Sequence, residues 1–585
     1  MRLFSSLTSN APRYILALAA VFTPPAVYSQ AGAVDPVDGI WGAEVRFGMP
    51  VEGELTLDGR EGMWRASIAG FQVAVEKNGN EISFRLPDNI AEFRGLRNAA
   101  TNSIRGEWIQ QGGPILDPQY ASPIELHSIA PSVWRGKVVP LDQRVSVYIC
   151  ISSRDGKRTA SVSNPEANFF RRRVYVVTRE GARVSFEANG AKIEGTLDEK
   201  AGTLSLQLVN WLPGFQFTHR TVQNAVGFFP RTPFDGAAWS YREPLPEGDG
   251  WPTGSMKAVG LDQAPIVELV NRIFKADPEG TSLKIQSLLI ARHGRPVLEE
   301  YFYGFDRDRV HDMRSASKTF APVLAGLAKQ HGANLAPQTP LYPLFRQYSS
   351  FAGWDARKQK VTLRDIMTMT AGNACDDNND DSPGNEDRMQ ASAQRDWYRY
   401  SLDLPMVKEP GGEDAIYCSA DLNLVGGAVA AATHRWIPDF FEESLARPLQ
   451  FERYYLNLMP DGQAYMGGGA YLRPRDQLKL GQLYLAGGLW NGKRIVDKAW
   501  VAQSTSVHSR FPAAYSLGQK HEYGYGWHIH DLRSGAKTYR VFAADGHFSV
   551  PPTSRIQPSD NHDSEAANVA AGRCIRRSGP ALAMR

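Results

Sequence analysis

The feature that most constrains the fold is an internal repeat between residues 39 and 220. A tryptophan opens each half, at Trp41 and Trp134, and the segment GNEISF at 79–84 returns as GARVSF at 181–186. Short runs of alternating apolar and polar residues, separated by turn signals, fill both halves. Because a β-strand places alternate side chains on one face, this pattern predicts half-buried antiparallel strands joined by tight turns.

The repeat predicts two tandem β modules, over residues 36–130 and 131–222, each of them a small barrel or sandwich. One larger β domain with internal symmetry is the alternative. Neither half holds a convergent group of polar side chains, so we expect a structural or substrate-positioning role for this part. Residues 223–256 are rich in Pro, Gly and aromatic residues, which is typical of a linker that packs on its neighbours.

The periodicity changes after residue 256. The segment PIVELVNRIF at 265–274 has the apolar spacing of a helix, and two apolar runs around residues 293–295 predict a β-hairpin. Further helices are expected at residues 361–371, 474–486 and 495–503. This half therefore mixes strands with helices, as an α/β or α+β domain. Since 585 residues are too many for a single core, we expect a multidomain protein.

The motif with the clearest chemistry is S-A-S-K, which places Ser315 three residues before Lys318 at the start of an apolar helical stretch. Residues three apart share a helix face, and a serine hydroxyl needs a nearby base to become a nucleophile. A lysine is a base only when neutral, and burial and the positive end of a helix both lower its pKa. The S-x-x-K motif occurs often by chance. Without a second motif, the better interpretation is a capped helix whose lysine is exposed to solvent.

A second motif, Y-C-S at residues 417–419, precedes another apolar helix and changes this interpretation. Together with Ser315 and Lys318, it resembles the motifs of the serine β-lactamase and penicillin-binding-protein family, which includes class C β-lactamases, DD-peptidases and related esterases. The resemblance implies that Tyr417 lies beside the nucleophile and shares proton transfer with the lysine, with Ser419 in a supporting position.

The resemblance runs from about residue 257 to 545, and we place the domain at 257–550. It implies helices packed around a central antiparallel sheet, a second helical lobe, and an active site between the two. A third family motif, K-T-G or H-x-G on a strand that helps to form the oxyanion hole, has only an imperfect counterpart here. His547 stands where H-x-G begins, but Ser549 replaces the glycine and is expected to crowd this region.

Residues 551–585 shift to Pro, Ser, Asp, Asn and Arg, so we expect a disordered tail without strands. Cys375 and Cys418 both lie in the family-like part, where a disulfide and two separate buried cysteines are equally compatible with the sequence. The acidic stretch at 376–381 is predicted to be a solvated loop rather than a calcium site. The histidines lack metal-binding spacings, and we expect neither a metal nor a cofactor.

The first 30 residues predict a removed signal peptide, with Arg2 and Arg13 beside a short apolar run at 14–22. This run is shorter than the ~20 residues that span a bilayer, and no later run approaches that length. We therefore expect an exported protein, periplasmic or secreted, with no membrane span after signal removal. The net charge of +3 and the absence of a basic stripe give no reason to expect nucleic acid as a partner.

The residues and the resemblance together predict an exported serine hydrolase that forms an acyl-enzyme on an ester, amide or β-lactam-type carbonyl. Its expected substrate is a small molecule or a cell-wall-derived compound. The alternative is a non-catalytic exported binding or scaffold protein in which the β modules are functional and the hydrolase domain is degenerate.

Overall fold

A computed structural model describes the chain from residue 35 onward, with gaps. The described ranges are 35–46, 51–60, 62–112, 119–154, 156–166, 174–208, 214–231, 238–276, 284–512 and 521–531, and then the backbone alone of 537–543, 546–550 and 568–571. The predicted signal peptide at 1–30 lies outside the described residues. No helix in the described ranges is both long and apolar enough to cross a membrane.

The first part of the chain consists of antiparallel strands, as the alternating pattern predicts. In chain order these are β1 (Gly39–Arg46), β2 (Gly53–Asp58), β3 (Arg65–Ile68), β4 (Phe71–Ala74), β5 (Glu76–Asn78), β6 (Glu81–Arg85), β7 (Ala91–Asn98), β8 (Ser103–Gln111), β9 (Gln119–Ala130), β10 (Val133–Val138), β11 (Arg144–Arg154), β12 (Lys157–Ser163), β13 (Val174–Glu180), β14 (Arg183–Ala188), β15 (Ala191–Asp198), β16 (Thr203–Leu206) and β17 (Phe215–Arg220). They form a closed barrel, β1-β11-β12-β13-β14-β15-β16-β17, and an open path of strands, β4-β3-β2-β10-β9-β8-β7-β6-β5.

The two halves of the repeat exchange their first strands. β1 opens the first half but pairs with β11 and β17 of the barrel, where Trp41 is fully buried. β10 opens the second half but pairs with β2 and β9 of the other sheet, where Trp134 is buried. The predicted boundary between residues 130 and 131 therefore does not separate two folded units. Alternation determines which face of a strand is buried, but it does not determine which sheet the strand joins.

The second part combines helices with strands. Its helices are α1 (Ala264–Phe274), α2 (Phe320–Gln330), α3 (Leu363–Met367), α4 (Glu386–Ala391), α5 (Trp397–Asp403), α6 (Ser419–Thr433), α7 (Ile437–Phe441), α8 (Pro474–Leu485) and α9 (Lys498–Ser504). Its strands are β18 (Ser287–Arg292), β19 (Arg295–Tyr301), β20 (His311–Asp312), β21 (Tyr454–Leu458), β22 (Ala470–Leu472), β23 (Leu489–Trp490), β24 (Lys493–Arg494), β25 (Ser509–Arg510), β26 (Glu522–Tyr523), β27 (His528–Asp531), β28 (Lys537–Ala543), β29 (Gly546–Val550) and β30 (Asn568–Ala571). The predicted helices α1, α3, α8 and α9 and the β18–β19 hairpin are confirmed, with ends shifted by a few residues.

One antiparallel sheet organises this second part, in the order β19-β18-β30-β29-β28-β27-β26-β25. The expectation of a tail without strands is wrong at one position, because β30 pairs with both β18 and β29. Its sequence, Asn-Val-Ala-Ala, is short and apolar, and the unpaired edges of two neighbouring strands favour such a segment between them. The other residues of the predicted tail lie outside the described residues.

The two parts of the molecule share a sheet. β9 of the first part pairs with β21, β21 pairs with β22, and β22 pairs with β20, which completes a 12-stranded sheet. β20 ends three residues before Ser315. Backbone hydrogen bonds therefore connect the β-rich part directly to the segment that carries the predicted nucleophile.

A buried ionic cluster fixes the linker to the second part. Glu247 and Asp249 of the linker pair with Arg473 and Arg475, at 3.1 and 2.7 Å respectively. Arg475 also contacts Glu299 on β19 at 2.6 Å, and the side chains of both arginines are 1% exposed. Removing one partner of a buried ion pair leaves an uncompensated charge, which costs about 3–5 kcal/mol. The linker is therefore an integral part of the fold.

Glu107 on β8 faces α7 across the boundary between the two parts and is 1% exposed. Its Oε2 has no hydrogen-bond partner in the part of the chain that the structure describes. Burial, with Asp439 and Glu442 nearby, raises the pKa of Glu107 well above 4.5, although Arg447 opposes the shift. In the unfolded chain the same carboxyl ionises near pH 4.5, whereas the folded protein keeps the proton to a higher pH. The free energy of unfolding therefore falls as the pH rises above 4.5 and through the pKa of the folded state.

The Glu107→Gln variant should remove this pH dependence. We expect it to unfold at a higher temperature than the wild type at pH 8, with a gain of at least about 1 kcal/mol, and to match it near pH 4.5. Thermal unfolding at both pH values measures the difference. Glu81→Gln, at an exposed position on β6, should change neither value. A Glu107→Gln variant that is no more stable than the wild type at pH 8 would show that burial of the Glu107 carboxyl costs no stability there.

Candidate active site

Ser315 and Lys318 meet because they lie on a 3₁₀ turn, Arg314–Thr319, which continues directly into α2. Side chains three residues apart eclipse one another in a 3₁₀ helix. The Nζ of Lys318 accordingly donates a hydrogen bond of 2.7 Å to Ser315 Oγ. Lys318 is 2% exposed, whereas Ser315 is partly open to solvent. The turn thus presents a reachable hydroxyl in contact with a buried amine.

Tyr417 completes a cluster of three groups. It lies two residues before the start of α6, and the Nζ of Lys318 lies 5.0 Å from the centre of its ring. Ser315 also interacts with its phenol, which lowers the pKa of Tyr417 against the larger effect of burial. The structure therefore brings together Ser315, Lys318 and Tyr417, although the two motifs that contain them are about a hundred residues apart in sequence.

The backbone before Ser315 is strained. Arg314 has a φ of 44°, in the left-handed region that non-glycine residues rarely adopt. Asp312 holds it there, accepting hydrogen bonds from the Arg314 amide at 2.9 Å and its Nε at 2.7 Å. Met313 is fixed from the other side by a hydrogen bond from its amide to the carbonyl of Ala470 on β22. Strain of this kind persists only where the surroundings impose it, and it concentrates at functional sites.

The charge of Lys318 differs from the expected one. Burial lowers its pKa, as predicted, but the electrostatic effects of Tyr417, Glu386 and Asp377 outweigh burial and raise it above 10.5. Burial also raises the pKa of Tyr417 above 10, against the opposing effect of Lys318. At neutral pH Lys318 is therefore an ammonium and Tyr417 a neutral phenol. These interactions therefore oppose the neutral lysine that burial alone favours.

Asp377 is the most informative residue that the sequence did not single out. Its Oδ2 accepts hydrogen bonds from both the amide and the hydroxyl of Ser419, each at 2.7 Å, and its Oδ1 accepts one from the amide of Glu386 at 3.0 Å. Burial and the carboxylate of Glu386 raise the pKa of Asp377 to about 6. The acidic stretch is thus solvated only in part: Asp380 is exposed, but Asp377 faces the site.

A disulfide between Cys375 and Cys418 joins the acidic loop to the Y-C-S motif, with the two Cα atoms 5.6 Å apart. It decides between the two alternatives that the sequence left open. The amide of Asp377 adds a hydrogen bond of 2.9 Å to the carbonyl of Tyr417. One covalent bond and several hydrogen bonds therefore hold this loop against the residues around Tyr417.

A histidine on β27, His528, lies next to Tyr417. The rings of His528 and Tyr417 are stacked with centroids 6.4 Å apart, and His528 Nδ1 lies 2.6 Å from Nε2 of His521. Burial, together with the neighbouring His521, His530 and Lys318, lowers the pKa of His528 well below 6.5. His528 is therefore neutral. No sequence motif marks it, because only the pairing of β26 with β27 brings it to the site.

The predicted third motif is located only by its backbone. β28 lies beside the turn that carries Ser315, and β29, which contains His547 and Ser549, pairs with β28. The side chains of His547 and Ser549 lie outside the described residues, so their proposed roles remain predictions. Within the described ranges, no group of three or more His, Cys, Asp or Glu side chains is arranged to hold a metal ion.

Residues 270–555 match the family model described as Beta-lactamase. No curated protein matches the chain. Among solved structures, a protein provisionally named 6-aminohexanoate-dimer hydrolase from Bacillus anthracis is 16% identical, with a TM-score of 0.41, and the match covers 60% of this chain and 84% of that one.

Two further solved structures give similar values. A penicillin-binding protein homologue from Caulobacter crescentus is 14% identical, with a TM-score of 0.37, over 49% of this chain and 88% of that one. A family VIII carboxylesterase is 15% identical, with a TM-score of 0.38, and the match covers 54% of this chain and 93% of that one. The family match, which includes Ser315, Lys318 and Tyr417, is the similarity that bears on function.

The disulfide should contribute measurably to stability. Its cysteines are 43 residues apart in sequence, and closing a loop of that length stabilises a fold by about 4 kcal/mol. We expect a reductant to lower the unfolding temperature of the wild type but not of the variant that carries both Cys375→Ser and Cys418→Ser. Thermal scans with and without reductant measure this, and equal sensitivity of the two proteins would contradict it.

Proposed function

We propose that this chain, whose residues 270–555 form a domain of the Beta-lactamase family, is a serine hydrolase that works through an acyl-enzyme. The observation that carries the proposal is the contact of Ser315 Oγ with the Nζ of Lys318, beside the phenol of Tyr417. A hydroxyl in contact with a pair of titratable groups that can accept its proton, once the pair has itself lost one, is the arrangement that nucleophilic catalysis requires.

In the proposed reaction, the Lys318–Tyr417 pair first loses one proton to solvent. Ser315 Oγ then bonds to the substrate carbonyl carbon and passes its proton to the pair. The bond to the leaving group breaks, the leaving group takes that proton, and the acyl group stays on Ser315. Water attacks the resulting ester, which releases the acid and restores the Ser315 hydroxyl. Because the two groups are coupled, the pair has an apparent pKa of its own.

The proposed substrate has an ester, amide or β-lactam-type carbonyl, in a small molecule or a cell-wall-derived compound. The fold is shared by proteins with different activities, and it does not select among these carbonyls. We also propose export to the periplasm or the cell exterior. The apolar segment at 14–22 and the Cys375–Cys418 disulfide support this location, because disulfides persist in oxidising compartments.

Hydrolysis of p-nitrophenyl esters tests the proposal. Ser315→Ala should lower kcat/KM by at least about 10³-fold, because the covalent step is lost. Ser317→Ala is the matched control: this serine lies on the same turn, but its hydroxyl donates to the carbonyl of Arg314 rather than contacting Lys318. Folding of both variants is verified by circular dichroism.

Two results would contradict the proposal. Equal esterase activity in the wild type and Ser315→Ala would assign hydrolysis to another residue. A folded wild type without activity on esters, amides or β-lactams would favour the non-catalytic binding protein.

A further inference from the structure

We propose that Asp377 is a positioning residue for this reaction, which holds Tyr417 through Ser419 and the disulfide and sets the charge of Lys318. The inference rests on the proposed function and extends it to a residue outside the two motifs. Asp377 does not touch Ser315, so it acts through other groups. Two independent features of the structure support the inference: the contacts of its carboxylate and the charges around Lys318.

The contacts of Asp377 converge on the segment that carries Tyr417. One carboxylate oxygen binds the amide and hydroxyl of Ser419, and the Asp377 amide donates to the carbonyl of Tyr417. The disulfide between Cys375 and Cys418 closes the same arrangement covalently. Ser419 is fully buried, so these hydrogen bonds form away from competing water. Tyr417 is therefore held by its own carbonyl and by the two residues that follow it, all three of which are bound to the acidic loop.

The charges around Lys318 give Asp377 its second role. The groups that interact with Lys318 electrostatically include, among the described residues, Tyr417 before α6, Glu386 on α4, Asp377, and His528 on β27. His528 is neutral, so the two carboxylates provide the negative charge that stabilises the ammonium. Asp377 itself interacts with Glu386, which favours the protonated form of Asp377, and Asp377 in turn raises the pKa of the buried Asp421. The acidic loop thus determines how readily the Lys318–Tyr417 pair gives up a proton.

Asp377→Asn separates these two roles. The amide oxygen of asparagine can still accept the two hydrogen bonds from Ser419, whereas the hydrogen bond from the Glu386 amide and the negative charge are lost. Without that charge, Lys318 loses part of the stabilisation of its ammonium, and the pair should deprotonate at a lower pH. A purely structural loss would slow acylation at every pH without moving the midpoint of its pH dependence.

The test is the rate at which a fluorophosphonate inactivates the full-length protein between pH 6 and 11. In the wild type the rate should rise with pH as the pair deprotonates. In Asp377→Asn the midpoint of this rise should move down by about 1 pH unit, the size of shift that a single nearby charge produces. Asp380→Asn removes a charge from an exposed position of the same loop and should keep the wild-type midpoint.

An Asp377→Asn midpoint that is unchanged or higher would overturn the electrostatic role. Asp377→Glu keeps the charge but displaces the carboxylate, so it should keep the midpoint and lower the limiting rate at high pH. An unchanged limiting rate in Asp377→Glu would overturn the positioning role, even if the asparagine variant failed to fold. A wild type that does not react with the reagent would contradict the proposed function itself.

Discussion

The structure of the site depends on one buried charge, the ammonium of Lys318. A buried ammonium is costly unless opposite charges and hydrogen-bond acceptors compensate for it. Here Ser315 Oγ accepts its hydrogen bond, and the carboxylates of Asp377 and Glu386 provide the opposite charge. The acidic loop, its disulfide and the start of α6 are all placed so that this compensation is possible. The charges that stabilise the site therefore include Asp377 and Glu386, which lie outside the two sequence motifs.

The β-rich part contributes to the same site through the backbone. The strand path from β9 through β21 and β22 to β20 ends just before the strained Arg314. The exchange of β1 and β10 makes the barrel and the neighbouring sheet interdependent. The buried ion pairs of Glu247 with Arg473 and of Asp249 with Arg475 attach the linker to the first turn of α8 and the residue before it. The geometry of the turn that carries Ser315 is thus supported by segments that are far from it in sequence.

The sequence predicts what local patterns determine. Alternation and turn signals predict the strands of the first part, and the spacing of Ser315 and Lys318 predicts their contact, because each depends on neighbouring residues. The exchange of β1 and β10 is not predictable in this way, since it depends on which distant edges are available. The charge of Lys318 and the roles of Asp377 and His528 depend in the same way on loops and strands that only the fold brings together.

Ser315 is proposed as the nucleophile, and identifying the residue that a fluorophosphonate modifies tests this role. The folded protein is treated with the reagent, digested, and mapped by mass spectrometry. We expect a single modification, on the peptide that contains Ser315, and none on that peptide in Ser315→Ala. A modification at another residue, or no modification of the folded wild type, would contradict it.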